Sequence, residues 1–296
     1  MGIGSAFLRN LRPRQWSKNL LLFAGVIFAR ELGDGDHAVR ALLGAFVFCL
    51  GSGVIYVFND MADVEQDRLH PVKRFRPIAA GQLPVFWAQR LGWGLLVFCL
   101  AAAALLGWAF FSGLVFFFLW NLLYTRWLKR VPIVDVTGIG MSFVIRATAG
   151  VLVLLPVSPH VRISPWLLLC TFFLSLFLGF CKRRDEFLKV GAGRSKTRPV
   201  LRGYTEPMLN ALIGISFGLT LMMYGLYTVW PDTVAQFGTM RLVFTIPFVL
   251  AGMGRYLYLV YEQDRGGRPH EILLNDLILQ LVLVGWIATA IAIIGT

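Results

Sequence analysis

Acidic residues are scarce in this chain, 16 Asp and Glu among 296 residues, and Asp60, Asp63 and Asp67 fall together in the run Asn59-Asp60-Met61-Ala62-Asp63-Val64-Glu65-Gln66-Asp67. Residues three and four apart share a helix face. Asn59, Asp60, Asp63 and Asp67 therefore project to one side, with Glu65 off the stripe. Three carboxylates on one face repel each other, nothing on that helix neutralises them, and a divalent cation is the least costly relief. Mg²⁺ prefers one or two carboxylates, several waters and the phosphate oxygens of a substrate. The run thus reads as a metal–diphosphate platform with Asp60, Asp63 and Asp67 as metal ligands and Asn59 beside them. The alternative is a solvated helix end whose acids pair with Arg68, Lys73 or Arg74.

Directly after it comes His70-Pro71-Val72-Lys73-Arg74-Phe75-Arg76-Pro77-Ile78-Ala79-Ala80-Gly81. Lys73, Arg74 and Arg76 lie between two prolines, which favour a rigid, extended path. Arginine forks match phosphate oxygens, and lysine supplies a point charge. Acid face and basic loop together describe a site for a phosphorylated substrate with a diphosphate leaving group. Elsewhere the inventory is poor. Cys49, Cys99, Cys170 and Cys181 have no paired metal spacing and read as small core residues. His70 alone of the four histidines adjoins the site, where it caps the loop or takes part in chemistry.

The elements that must carry these residues follow from hydropathy. The chain is 57% apolar and 15% charged, against about 25% charged in soluble domains, and its mean hydropathy is +0.69. That excludes a disordered chain, a disulfide scaffold and an ordinary soluble enzyme. A membrane-crossing helix needs about 20 apolar residues. Ala41 to Phe58, Val136 to Pro156, Pro165 to Cys181, Met208 to Trp230, Leu242 to Tyr261 and Leu277 to Gly295 each fit. Leu91 to Thr125 carries no charge and is too long for one crossing; Gly107 and Ser112-Gly113 near its middle predict two helices in a tight hairpin. Trp16 to Leu32 supplies a weaker first span, retained rather than cleaved because Phe28-Ala29-Arg30 is a poor small-residue cleavage site. The expectation is an all-α, nine-helix polytopic membrane protein forming a single domain over 1–296.

Orientation follows from Lys and Arg. With the N-terminus inside, 23 of the 28 fall on the inner face; Arg30, Arg40, Arg162 and Arg241 fall outside, and Arg146 lies within a span. The N-terminus is expected in the cytoplasm and the C-terminus outside. The net charge of +12 then faces anionic lipid head groups rather than nucleic acid, for which no loop is long enough. Arg146, close to mid-membrane, costs at least about 2.5–3.5 kcal/mol unless compensated by a carboxylate, helix carbonyls or a lipid phosphate. Arg255, nearer a helix end, snorkels.

Asn59, Asp60, Asp63 and Asp67 match in full the N-D-x-x-D-x-x-x-D motif of the UbiA superfamily of intramembrane prenyltransferases, which the chain resembles over nearly its whole length. Tyr124 to Arg130 is similar to that family's tyrosine-to-basic stretch. The second family motif, D-x-x-x-D, departs: the corresponding stretch is Gly179-Phe180-Cys181-Lys182-Arg183-Arg184-Asp185-Glu186-Phe187, with basic residues at the first acidic position. This stretch, together with Arg12-Pro13-Arg14-Gln15-Trp16-Ser17-Lys18-Asn19, Phe75 to Gly81 and Phe143 to Gly150, resembles the decaprenyl-phosphate phosphoribosyltransferase branch.

That resemblance implies Mg²⁺-dependent transfer of 5-phosphoribose from phosphoribosyl diphosphate (PRPP) to a polyprenyl phosphate at the cytoplasmic face of a bacterial-type inner membrane. The product would be a precursor of lipid-linked arabinose for cell-envelope glycans. It implies donor-phosphate contacts from Lys73, Arg74 and Arg76, phosphate contacts from Lys182 and Arg183, and lipid head-group contacts from Lys18 and Asn19. Asn59, Tyr124 and Arg146 complete the expected substrate-binding set. The nucleophile is an ionised phosphate, so no general base is needed. Two other readings stand beside it: a prenyltransferase moving a prenyl group from its diphosphate to an aromatic acceptor, and a cation-coupled transporter, disfavoured because the acids lie at the cytoplasmic rim rather than the midplane. Lipid chain length and oligomeric state, a homo-oligomer included, are left open.

Overall fold

The computed structural model describes the chain except residues 1, 29–34, 70–71, 162, 191–198, 264–265, 268–271, 273 and 295–296, and the side chains of 26–28 and 190. His70 and Pro71 of the basic loop, Arg30 and Arg162 of the topology count, and Arg194, Lys196 and Arg198 therefore lie outside the described residues. The helices are α1 (Ile3–Asn10), α2 (Phe23–Phe28), α3 (Gly35–Ala62), α4 (Val64–Leu69), α5 (Val85–Leu106), α6 (Trp108–Arg126), α7 (Val134–Leu152), α8 (Pro165–Val190), α9 (Glu206–Val229), α10 (Pro231–Phe237), α11 (Ile246–Glu262) and α12 (Leu277–Ile294). The chain divides into two compact units, residues 1–126 with 142–163, and residues 127–141 with 164–296.

Among the described residues, eight helices are long and apolar enough to cross a membrane. Nine were expected. The difference is Trp16 to Leu32, where a 3₁₀ helix Pro13–Leu22 runs into the short α2 and the remainder is outside the described residues. Runs of 3₁₀ helix beyond three or four residues are uncommon. Close packing accompanies this one: a Cβ on Gly150 of α7 would collide with the Leu22 carbonyl, and one on Gly25 with the Gly150 carbonyl. Only backbone fits there. Gly150→Ala is expected to cost about 1–3 kcal/mol, the range for overpacking, read as a lower unfolding midpoint in detergent.

In the first unit α3 packs along α5, with α6 and the 3₁₀ segment also against it. Its membrane core centres on Phe48, fully buried and stacked on Phe117 at 4.6 Å and Phe110 at 6.3 Å. The expected hairpin is present: α5 ends and α6 begins around Gly107 alone, at φ 134° and ψ 149°, a conformation open to glycine because it lacks Cβ. Ser112 and Gly113 lie within α6 instead of at the turn. A smaller apolar cluster of Leu11, Val57, Ile78, Leu83 and Ala88 ties α1, the end of α3 and the basic loop together. This cluster fixes the loop beside the acidic motif.

In the second unit α8 packs extensively on α9, and α11 on α12. Phe177, at 5.7 Å from Tyr256 and 5.8 Å from Phe217, lies at the centre of that core. The span expected to stop at Cys181 continues to Val190. The Lys182-Arg183-Arg184 stretch is therefore helical and cannot present all three side chains in one direction. All four cysteines are free thiols, with Cys49, Cys99 and Cys181 buried.

Candidate active site

Asn59 and Asp60 end α3, Asp63 sits at the turn into α4, and Asp67 lies on α4. The turn barely interrupts the helix, because Asp63 N donates to Asn59 O at 3.0 Å and Asp67 N to Asp63 O at 2.8 Å. The i,i+3/i+4 face inferred for the motif is retained. Asp60 and Asp67 are almost fully buried, so each needs a cationic partner.

Those partners come from outside the helix. Arg12 Nη2 donates to both oxygens of Asp60, at 2.5 and 2.8 Å. Arg76 Nη1 bridges Asp60 Oδ1 at 3.0 Å and Asp67 Oδ2 at 2.6 Å, and Lys73 Nζ lies 3.8 Å from Asp67 Oδ1. Of the pairs the solvated-end alternative would make, the one with Lys73 is present among the described residues. Arg68 goes to Glu65 at 3.0 Å, and Arg74 stacks over Phe75 at 4.9 Å. The half-buried Asp63 and Asn59 side chains carry no hydrogen bond or ion pair among the described residues.

Arg12 is the residue that motif spacing did not single out. Its backbone is left-handed, φ 54° and ψ 61°, an uncommon state for a non-glycine residue and one retained where surrounding contacts over-determine it. Its guanidinium lies 4.7 Å from the Tyr56 ring as well as on Asp60. Tyr56 Oη donates to Gln15 Oε1 at 3.0 Å, and Lys18 Nζ donates to the same oxygen at 3.1 Å. The Arg12 to Asn19 stretch was noted in the sequence as a block, and its first residue turns out to hold the motif's first aspartate.

Asn19 and Arg146 are placed differently from expectation. Asn19, assigned to a lipid head group, is buried; its Oδ1 accepts from Arg146 Nε at 2.8 Å, and its Nδ2 donates to Cys49 Sγ at 3.3 Å. Arg146 Nη1 donates to Ser142 O at 2.7 Å and Ser142 Oγ at 2.8 Å, and the guanidinium lies 4.7 Å from the Phe117 ring. Of the compensations foreseen for Arg146, the helix carbonyl is present, supplemented by an amide and an aromatic face. Lys18 is exposed, and Tyr124 is half-buried near the end of α6.

The second unit holds Lys182 and Arg183. Lys182 is exposed. Arg183, expected to meet a substrate phosphate, is fully buried: its Nε donates to Asp135 Oδ2 at 2.6 Å and its Nη1 to Glu186 Oε2 at 2.7 Å. Arg184 turns toward Asn210 at 2.8 Å and the Tyr261 ring at 4.0 Å. Tyr204 Oη donates to Asp135 Oδ1 at 2.6 Å and accepts from Ile133 N at 2.6 Å. Burial first, and then the neighbouring carboxylate, hold the Tyr204 phenol above its ordinary pKa, so it stays a proton donor to Asp135 throughout the neutral range.

Among the described residues no three Asp, Glu, His or Cys side chains converge to hold a metal unaided. Mg²⁺ does not require that; one or two carboxylates with waters and substrate oxygens suffice. The donor set is all oxygen, and a single nitrogen, Arg76 Nη1, already bridges two of the motif's carboxylates. The residues fit a hard divalent cation.

The profile of the UbiA prenyltransferase family matches residues 20–275. The decaprenyl-phosphate phosphoribosyltransferase of Mycolicibacterium smegmatis is 34% identical over 96% of this chain and 91% of its own length. Its counterpart from Corynebacterium glutamicum is 32% identical over 96% and 85%. In fold, a UbiA homolog from Archaeoglobus fulgidus bound to GPP and Mg²⁺ superposes with a TM-score of 0.70 at 20% identity, over 98% of this chain and all of that one. Eight apolar membrane-length helices, a fully matched acidic motif and these likenesses agree: the chain is a multi-pass membrane protein that belongs to the UbiA prenyltransferase family.

Proposed function

We propose that this protein transfers the 5-phosphoribosyl group of PRPP to a polyprenyl phosphate, releasing diphosphate. A lipid phosphate oxygen bonds to the anomeric carbon as its bond to the diphosphate oxygen breaks, and the leaving group takes the electron pair. The transition state has oxocarbenium character, as in glycosyl transfer generally. The acceptor arrives ionised, so no side chain has to remove a proton. The observation that carries the reading is 34% identity, over 96% of the chain, to a decaprenyl-phosphate phosphoribosyltransferase.

Asp60, Asp63 and Asp67 are the residues that would hold Mg²⁺, which when bound supplies charge stabilisation to the departing diphosphate, with Asn59 beside them for the substrate. Lys73, Arg74 and Arg76 bind donor phosphates from the loop that Ile78 and Leu83 pin against the end of α3. Lys182 and Lys18, both exposed, keep the roles the resemblance implies, toward a phosphate and the lipid head group respectively. Arg183 and Asn19 are assigned to the framework instead, since Arg183 Nε and Nη1 and both polar atoms of Asn19 are engaged inside it. The lysine and arginine asymmetry supports a site at the cytoplasmic face, and the bacterial origin of the similar transferases supports an inner membrane as its setting.

The test is mass spectrometry of the organic phase after incubating purified protein with Mg²⁺, PRPP and polyprenyl phosphates of several lengths. A phosphoribosyl lipid that disappears on chelation is the expected result. No such lipid at any length, with product from a prenyl diphosphate and an aromatic acceptor, would overturn the reading in favour of ordinary prenyl transfer.

A further inference from the structure

Two arginine nitrogens stand where cations belong in the acidic motif. Arg12 Nη2 sits astride both oxygens of Asp60, at 2.5 and 2.8 Å, as a chelated ion would. Arg76 Nη1 bridges Asp60 and Asp67, at 3.0 and 2.6 Å, as a shared ion would. Each carboxylate oxygen offers about two lone-pair sites, and a divalent cation bridging Asp60 and Asp67 on the side where Arg76 lies would compete with it for those it uses. Two positive centres at so short a separation also repel strongly in a partly buried site. The guanidinium and the cation exclude each other there.

The two arginines differ in what else holds them. Arg12 has the Tyr56 ring at 4.7 Å and a backbone locked in the left-handed region. Arg76 has no partner for its guanidinium among the described residues beyond the two aspartates, and its side chain is 27% exposed. We propose that Arg76 is an exchangeable counter-cation. Were Asp60 and Asp67 to hold a divalent ion, the Arg76 guanidinium would leave them and its donors would bind oxygens of the substrate's diphosphate, while Arg12 stays on Asp60. Asp60 and Asp67 are buried and never lack a positive partner, and the phosphate-binding fork is deployed only alongside the metal. Metal and diphosphate consequently raise each other's affinity, by the same factor in both directions.

The proposal rests on the diphosphate-donor reading above, but inorganic probes test it separately. Mn²⁺ binding to the full-length protein in detergent is measured by electron paramagnetic resonance without phosphate. Binding of radiolabelled diphosphate is then measured at fixed free Mg²⁺. Arg76→Ala is expected to bind Mn²⁺ about tenfold more tightly, because a competing charge is gone, and diphosphate about tenfold more weakly, because a charge-assisted fork is gone. Arg68→Ala removes the same charge from an exposed pair with Glu65 and is expected to shift each by less than about twofold. Arg76→Gln carries the same expectations should the alanine variant not fold.

Unchanged or weaker Mn²⁺ binding in Arg76→Ala would overturn the exchange, and so would unchanged diphosphate binding. A protein that shows both shifts but makes no phosphoribosyl lipid keeps the exchange and loses the donor assignment. One that makes the lipid while neither shift occurs does the reverse.

Discussion

Asp63→Asn is expected to lower turnover by about 10²–10³-fold, the scale of removing one preorganised electrostatic contact to developing charge, with the unfolding midpoint essentially unmoved. The reason is the asymmetry within the motif. Asp60 and Asp67 are neutralised by Arg12, Arg76 and Lys73, whereas the Asp63 side chain has no partner among the described residues. A carboxylate without a partner among the described residues, on the face of Asp60 and Asp67, is the one the proposed metal and diphosphate would use at the least cost to the fold. Replacing one oxygen by NH₂ keeps its size and removes the charge.

Asp60→Asn is a poorer test. It also removes activity, but it takes an ion-pair partner from Arg12 and Arg76 at once, costing about 1–3 kcal/mol for partners left unsatisfied. The measurement is the rate of phosphoribosyl lipid formation with the melting curve taken on the same preparation. Full activity in Asp63→Asn would remove Asp63 from the chemistry, and full activity in Asp60→Asn as well would remove the motif.

The acidic face was legible because it depends only on local spacing: residues one, three and four apart share a side in any helix. The α5–α6 hairpin was legible for a similar reason, since an uncharged run too long for one crossing must turn and Gly107 tolerates the turn. Arg12 was hidden because its partner Asp60 is 48 residues away and its role depends on a left-handed backbone that no pattern announces. Asn19 and Arg183, read from sequence as ligand contacts, lie buried against protein partners, an arrangement hidden for one physical reason. A polar residue near a membrane rim suits a ligand or a buried partner equally well, and composition does not say which way it faces. Successive helical residues are rotated by about 100°, so Lys182, Arg183 and Arg184 could not all have met one phosphate once α8 extended to Val190. The weak first span shows the limit of hydropathy: an apolar run does not specify a straight crossing helix, and the path here keeps backbone contact at Gly25 and Gly150.

Asp135→Asn is expected to destabilise the protein by about 3–5 kcal/mol, the cost of leaving one member of a buried ion pair uncompensated. Asp135 has no exposed surface and uses both oxygens, one for Arg183 Nε at 2.6 Å and one for Tyr204 Oη at 2.6 Å. Through Tyr204 it also supports Ile133, whose N–H donates to the phenol oxygen and whose φ of 68° is costly for a β-branched residue. Loss of the carboxylate therefore strands a guanidinium and loosens the strained turn that starts α7.

A variant in which Asp135→Leu and Arg183→Met are combined should recover much of that loss, since buried pairs replaced together by apolar groups of similar volume are often neutral. Denaturation in detergent reads the stability, and titration with PRPP and a polyprenyl phosphate reads the role. Were Arg183 a phosphate ligand, Asp135→Asn would release it and tighten binding. A framework role requires lower stability with no gain in affinity for either substrate. A variant as stable as the parent, with tighter binding, would return Arg183 to the substrate site and leave the buried pair as its resting partner only.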